Sequence, residues 1–264
     1  MIKDFVKFNK QLSCSFSSKF PNFVKETEPK AIMLDVIEQL IRQKKLKRIL
    51  EVGGIDRPFL QKSQAYTYDG LDIEYNEKCH EIYDNFIVQS IEEKVSSQYD
   101  MIISFTLLEH VHNNTMAFKA IYEALNENGV TIHYLPSKYH PVSLILRLVG
   151  QKLQKKIISL LRPWARDESG YPAYYDKCSP KQMEQLLHKI GFHNIKILPS
   201  YRANDYFSFF VPFYVLITLY ENLCKAFNLK SLCSGFVIIA SKDINNTDII
   251  NIFQKSIISM DRID

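Results

Sequence analysis

Between residues 31 and 241 the apolar positions switch repeatedly between the 3.6-residue period of a helix and the short apolar runs of buried strands. AIMLDVIEQLIRQ puts Ile32, Val36, Leu40 and Ile41 on one helical face, and Lys44, Lys45 and Lys47 follow where cations favour a helix's carboxyl end. RILEVG then reads as a buried strand. TYDGLDI, FIVQS, YDMIISF, GVTIHYL, HNIKILPS and GFVIIAS continue the series. Pro58, just beyond the first strand, suits the first turn of a helix, and NEKCHEIYD reads as a short helix. Asn113 or Asn114 caps another, with Phe118, Ile121, Tyr122 and Leu125 on one face, ending at NENG. In SPKQMEQLLHKIGF, Ser179 and Gln182 predict a capping box, Pro180 takes the first helical position and Gly191 is the stop. Strands alternating with helices predict βαβ crossovers and an α/β fold: three layers around a seven-stranded, mainly parallel sheet.

The rhythm breaks in four places. Residues 1–46 hold a mixed polar and aromatic extension without a firm period, then the first helix. Residues 47–242 form the main domain, interrupted by insertions at about 137–178 and 201–232. The tail, 243–264, is polar and then amphipathic. The first insertion contains HPVSLILRLVGQKLQKKIISLLRPW, where Val142, Leu146, Val149, Leu153, Ile157 and Leu160 share a helical face. Two arginines and three lysines between 142 and 162, with no acid, make it a basic amphipathic segment. It reads either as a membrane-surface element or as a cap helix with a solvated basic face. The second insertion contains YFSFFVPFYVLITLY, uncharged from Tyr206 to Tyr220. As a helix it reaches only about 23 Å against the roughly 30 Å of a hydrocarbon core, so it reads as an interfacial or lid segment, not a span.

The 264 residues carry 33 basic and 29 acidic side chains, a net charge of +4, too mild to argue for nucleic acid. The five cysteines are scattered, with no C-x-x-C pair. Neither structural zinc nor a disulfide framework is expected, and a reducing cytoplasm fits. Lys3, Asp4, Lys7 and Lys10 break any signal-peptide core.

In an open α/β sheet, ligands meet the carboxyl ends of the strands. Those ends hold Glu51-Val-Gly53-Gly54, Gly70-Leu-Asp72, Gln89-Ser90, Ser104-Phe105 and Leu135-Pro136. An acid after the second strand suits a ribose diol. Gly53 and Gly54 allow close backbone approach. The dinucleotide pattern G-x-G-x-x-G is absent, because Ile55, Asp56 and Arg57 follow the glycine pair, and Asp56 would repel a pyrophosphate.

The succession EVGG, GLDIEYNE, FIVQS, YDMIISFTLLEHV, ALNENGVTIHYL resembles the class I S-adenosylmethionine-dependent methyltransferases, as motifs over about 47–136 and as topology to about 241. The resemblance implies a Rossmann-like methyltransferase fold and S-adenosylmethionine as cofactor. By position, Glu51, Gly53 and Gly54 would hold the methionine end, Asp72 the ribose and Ile73 the adenine face. Ser90 and Ile91 would flank the adenine edge, and Phe105 and Leu107 would line the floor. Two departures stand out. The β-branched Ile55 is expected to resist positive φ and so to change the turn, leaving Arg57 to pair with the cofactor carboxylate. Ser90 stands where the family usually has an acid.

Glu51 has a second reading as a cap for loop amides, and Asp72 one as an ordinary cap. His110 is a candidate base for a hydroxyl acceptor, or a residue packed beneath the cofactor. His140 is a second candidate base, or a loop histidine before a proline. No carboxylates cluster at the ends of strands four and five, so no metal is expected. The adenine-amino signature and a cytosine-directed cysteine are absent after strand four, and nucleic acid is not expected as substrate. The insertions, with Tyr171, Tyr174 and Tyr175 between them, point to O-methylation of a small-molecule or lipid-linked glycan acceptor, with peripheral membrane contact. The competing reading is a non-catalytic binding module on the same fold.

Overall fold

A computed structural model describes residues 2–24, 28–149 and 171–260. In chain order the elements are α1 (Ile2–Lys19), α2 (Pro21–Val24), α3 (Pro29–Lys44), β1 (Arg48–Val52), β2 (Thr67–Asp72), α4 (Cys79–Ile82), β3 (Asn85–Val88), β4 (Tyr99–Phe105), α5 (Asn114–Ala124), β5 (Leu125–Pro136), α6 (Pro141–Val149), α7 (Pro180–Ile190), β6 (His193–Ser200), α8 (Val211–Ala226), β7 (Gly235–Ser241) and α9 (Asp248–Met260). The chain divides into two compact units. One comprises Thr27–Pro136, Tyr174–Leu198 and Phe236–Asp264. The other comprises Met1–Glu26, Ser137–Ala173 and Pro199–Gly235.

The first unit carries the sheet, in the order β3-β2-β1-β4-β5-β7-β6. The pairs β1–β2, β1–β4, β2–β3 and β4–β5 are parallel. Parallel strands buried on both faces need apolar residues at consecutive positions, which is why RILEV and YDMIISF show no alternation. Ile49, Met101, Ile103, Val130, Ile132, Val237 and Ile239 form the centre of the core. Against them lie Met33, Val36, Ile37 and Leu40 of α3 and Ile249, Ile252 and Phe253 of α9. Strand order reverses between β1 and β4, the place where such sheets bind ligands.

Helix ends follow the expected chemistry in part. Asn113 caps α5, its side chain accepting the N–H groups of Thr115 and Met116. Gly191 ends α7 at φ 114°. The capping box does not form: the Ser179 hydroxyl donates to the Gln182 side chain at 3.1 Å and accepts no helix N–H. The helix expected at Pro58 is also absent. Residues 53–66 are a loop with turns, because Phe59 and Leu60 spend their N–H groups on the side chains of Glu51 and Tyr68. NENG does not end α5; it lies inside β5, which begins at Leu125.

The second unit is helical. The 18 residues of α1, for which the sequence showed no firm period, make contact with α8. Of the basic amphipathic segment, α6 is described; residues 150–170 lie outside the described residues.

Candidate cofactor and active site

Register sets the site's spacing. Val52 of β1 lies opposite Leu71 of β2 and Ser104 of β4, and Asp72 lies opposite Val88 of β3. The loops beginning at Gly53, Ile73, Gln89 and Thr106 therefore leave the same end of neighbouring strands.

The glycine pair is explained by packing. Gly53 has φ +87°, and a Cβ there would lie 2.8 Å from Leu107 Cδ1. A Cβ on Gly54 would collide with the Tyr83 hydroxyl and lie 2.6 Å from Glu51 Cδ. Beneath it the Glu51 carboxylate accepts the Phe59 N–H at 2.9 and 3.0 Å and hydrogen bonds from the hydroxyls of Tyr68 and Tyr83. Burial raises Glu51 to about 7, while these donors and the charge of Lys30 pull it down. The geometry is the loop-capping reading of this residue. Gly54→Ala is expected to cost about 1–3 kcal/mol by overpacking this buried set, read as a lower denaturant midpoint. A midpoint within error of wild type would show that the Glu51–Tyr83 contact yields freely.

Ile55 does not resist positive φ as expected: it sits at φ 44°. Its side chain packs against the core cluster, and the Arg57 N–H closes a turn onto Gly54 O at 2.8 Å. Tertiary packing thus overrides the β-branched preference. Thr106, at the end of β4, is at φ 55°. Two β-branched residues held left-handed on adjacent strand ends are strained, and such strain gathers at ligand sites.

Asp72 is buried, and one carboxylate oxygen accepts the Glu74 N–H at 3.0 Å. Burial raises its pKa, while the backbone N–H groups of Glu74 and Ile73 lower it. The next side chain, Ile73, is 60% exposed. Ser90 accepts the Glu92 N–H at 3.2 Å, and Ile91 is buried. Phe105 stacks on Tyr134 at 4.9 Å and tilts against Phe59 at 5.6 Å. Arg57 is exposed, its Nε 3.9 Å from Asp56 Oδ1.

After β4 the structure adds a residue that the sequence reading passed over. Glu109 is buried, its Oε2 accepts no hydrogen bond, and its Oε1 lies 3.7 Å from Nε2 of His110. Burial raises it to about 8, so its carboxyl is neutral at pH 7. LLEHV held the signal: an acid between apolar residues, pointing inward. His140 belongs to the helical unit. It is 1% exposed, its Nδ1 accepts the Val142 N–H at 3.3 Å, and burial lowers it to about 4. There it caps the start of α6.

These shifts set a pH dependence of stability. Glu109 prefers its proton in the fold, so its contribution is complete below about 4.5 and is lost as pH rises towards about 8. Glu51 acts likewise up to about 7. Buried His133 and His140, lowered to about 3 and about 4, work oppositely, but their contribution is complete above about 6.5. The two pairs therefore offset each other from about pH 4.5 to 6, and stability should fall by about 2 kcal/mol from that plateau by pH 8, or roughly 5 °C in melting temperature. Glu109→Gln should flatten the fall between pH 7 and 8. An unchanged slope would mean that Glu109 is ionised in the fold at neutral pH.

A family model described as a methyltransferase domain matches residues 25–197, well over half of the chain. The chain belongs to the methyltransferase-domain family. Its domain is of the class I S-adenosylmethionine-dependent methyltransferase type, with the Rossmann-like sheet described above. Among solved structures it is similar to phosphoethanolamine N-methyltransferase 2 of Haemonchus contortus, with 14% identity over 79% of this chain and 52% of that one (TM-score 0.50). It is similar to the citrinin polyketide synthase CMeT domain, with 15% identity over 80% and 52% (TM-score 0.50). A SAM-dependent methyltransferase from Archaeoglobus fulgidus shares 16% identity over 86% and 98% (TM-score 0.49). The chain spans about half the length of the first two, and at these identities the likeness is one of fold. No curated protein matches the chain.

Proposed function

We propose that this methyltransferase transfers a methyl group to an oxygen of an amphipathic acceptor, either a small molecule or a lipid-linked glycan. The observation carrying the reading is the strand-end cluster: the Gly53–Gly54 turn with left-handed Ile55, Asp72 one strand away, and Thr106, Leu107 and the Glu109–His110 pair on the other side. The residues present fit S-adenosylmethionine. Asp72 keeps acceptor capacity for a ribose diol beyond its bond to Glu74, and Ile73 offers an exposed apolar face to adenine, with Ser90 and buried Ile91 at the ring's edge. Gly53 gives backbone access for the methionine half, and Arg57 offers charge to its carboxylate. Glu51 and Gly54 shape the loop from beneath, while Phe105 and Leu107 line the floor.

The bound cofactor supplies a sulfonium-activated methyl group, so positioning carries much of the rate. His110 accepts the proton leaving the acceptor hydroxyl on its imidazole. The Glu109 carboxyl, 3.7 Å from His110 Nε2, adds no charge beside the ring while it is neutral. His140, with its Nδ1 engaged by Val142, is given no proton-transfer role.

The segments at about 137–178 and 201–232 are read as insertions that select the acceptor, and 1–46 and 243–264 as flanking extensions of the domain 47–242. Exposed Tyr174, in the same unit as the strand ends, supports an acceptor with ring or apolar character. A lipid-linked acceptor would place the enzyme, in a cytoplasm, at a membrane surface. Calorimetric titration tests the cofactor assignment. S-adenosylmethionine and S-adenosylhomocysteine should bind at micromolar levels and NAD should not. Absence of binding by the first two would overturn it and favour the non-catalytic module.

A further inference from the structure

In the helical unit several polar side chains are buried while large apolar ones face outward. On α1 two polar residues face inward: buried Asn9 accepts the Val211 N–H at 3.1 Å, and buried Ser13 donates to Ser208 O at 3.1 Å. Its apolar stripe, Phe8 and Leu12 among it, faces solvent. On α8 the buried face carries Thr218, which accepts from Asn204 at 3.1 Å, and Glu221, which accepts the Ala203 N–H at 2.6 Å. Leu216, Leu223 and the following Phe227, 71% exposed, lie outward. On α6, Ser143 is buried while Leu148 is 87% exposed. A water-facing helix does the reverse, and exposed large apolar residues above buried polar ones mark a contact surface. The two helices' outward aromatic residues join through Phe5, Phe210 and Phe213, with ring centroids 6.2 and 5.0 Å apart.

Charge names the occupant. Within the sequence bounds of this unit stand 15 basic and 6 acidic residues, a net +9, whereas the sheet unit's segments hold 18 basic and 23 acidic, a net −5. An apolar surface on a strongly cationic unit complements an anionic lipid bilayer, where side chains enter the headgroup boundary and lysines meet phosphates. No helix among the described residues is long and apolar enough to cross a membrane, so the contact is with one leaflet. We propose that the outward apolar faces of α1, α6 and α8 dock this protein on an anionic bilayer surface. The proposal deepens the lipid-linked reading of the acceptor, but its observations do not depend on the cofactor site.

The test is co-sedimentation of the full chain with vesicles of phosphatidylcholine alone and of phosphatidylcholine with phosphatidylglycerol, at low and high salt. Preferential pelleting with the anionic vesicles, weakened by salt, is expected. The variants Phe8→Ser with Leu12→Ser, and Leu216→Ser with Leu223→Ser, replace exposed side chains and should keep the melting temperature and the S-adenosylmethionine titration of wild type. Each pair should weaken vesicle binding at least about tenfold. Absence of binding to both vesicles, or binding indifferent to both pairs, overturns the proposal. So does a concentration-dependent dimer in sedimentation velocity that both pairs abolish, which would make a second copy the occupant. Vesicle docking by a protein that fails to bind the cofactor would sink the methyltransfer reading and leave this one standing.

Discussion

Replacing His110 by alanine is expected to lower kcat about 10²- to 10⁴-fold while the affinity for S-adenosylmethionine stays within about twofold, the range for losing one general base. The separation follows from position. His110 is the fifth residue after Phe105, the last of β4, next to Glu109, whereas Asp72, proposed for the ribose, ends β2 on the other side of β1. Once an acceptor is in hand, the pH profile sharpens the test. A pH-dependent limb of kcat that wild type shows and the variant lacks would tie the limb to His110. Unchanged kcat would assign His110 to packing beneath the cofactor and leave the rate to positioning alone. A lowered kcat with equally weakened cofactor binding would point to collapse of the loop after β4, where Thr106 is held at φ 55°.

The sheet's interior was legible because strands buried on both faces write themselves as uninterrupted apolar runs. YDMIISF and GFVIIAS coincide with β4 and β7 to the residue. The loop after β1 was not legible. Its course depends on a side chain 8 residues upstream, Glu51, capturing the Phe59 N–H, and no local propensity reports such a bond. Ile55 shows the same limit: its left-handed backbone is a product of packing, against its intrinsic preference. The α1 helix escaped notice for another reason. Its inward side mixes Asn9 and Ser13 with Phe16, which packs against Tyr214, so no single apolar face runs along it. Glu109 was visible as a letter in LLEHV, but its burial, which makes it a neutral acid beside His110, required the chain from Tyr174 and Tyr175, whose N–H groups bond to its carbonyl at 2.8 and 3.0 Å.

Asp72→Ala should weaken S-adenosylmethionine binding by roughly 10- to 150-fold, the loss of charge-assisted hydrogen bonds worth about 1.5–3 kcal/mol. Alanine also removes the acceptor that holds the Glu74 N–H, so a weakened turn could mimic a lost ligand contact. Asp72→Asn separates the two. Its amide oxygen can still accept from Glu74, keeping the turn and the melting temperature, while the charge and one acceptor are gone. If the carboxylate grips the ribose, asparagine should lose most of the affinity that alanine loses. If Asp72 serves only the turn, asparagine should bind as wild type. Burial raises the pKa of this group in the free protein, and two hydroxyl donors would favour its ionised form. Affinity should therefore strengthen as pH rises through the range where Asp72 gives up its proton, and calorimetry in buffers of different ionisation heat should register proton release on binding. Both effects should disappear in Asp72→Asn. Their persistence there would move the linked proton to another group and remove the ribose contact from the site.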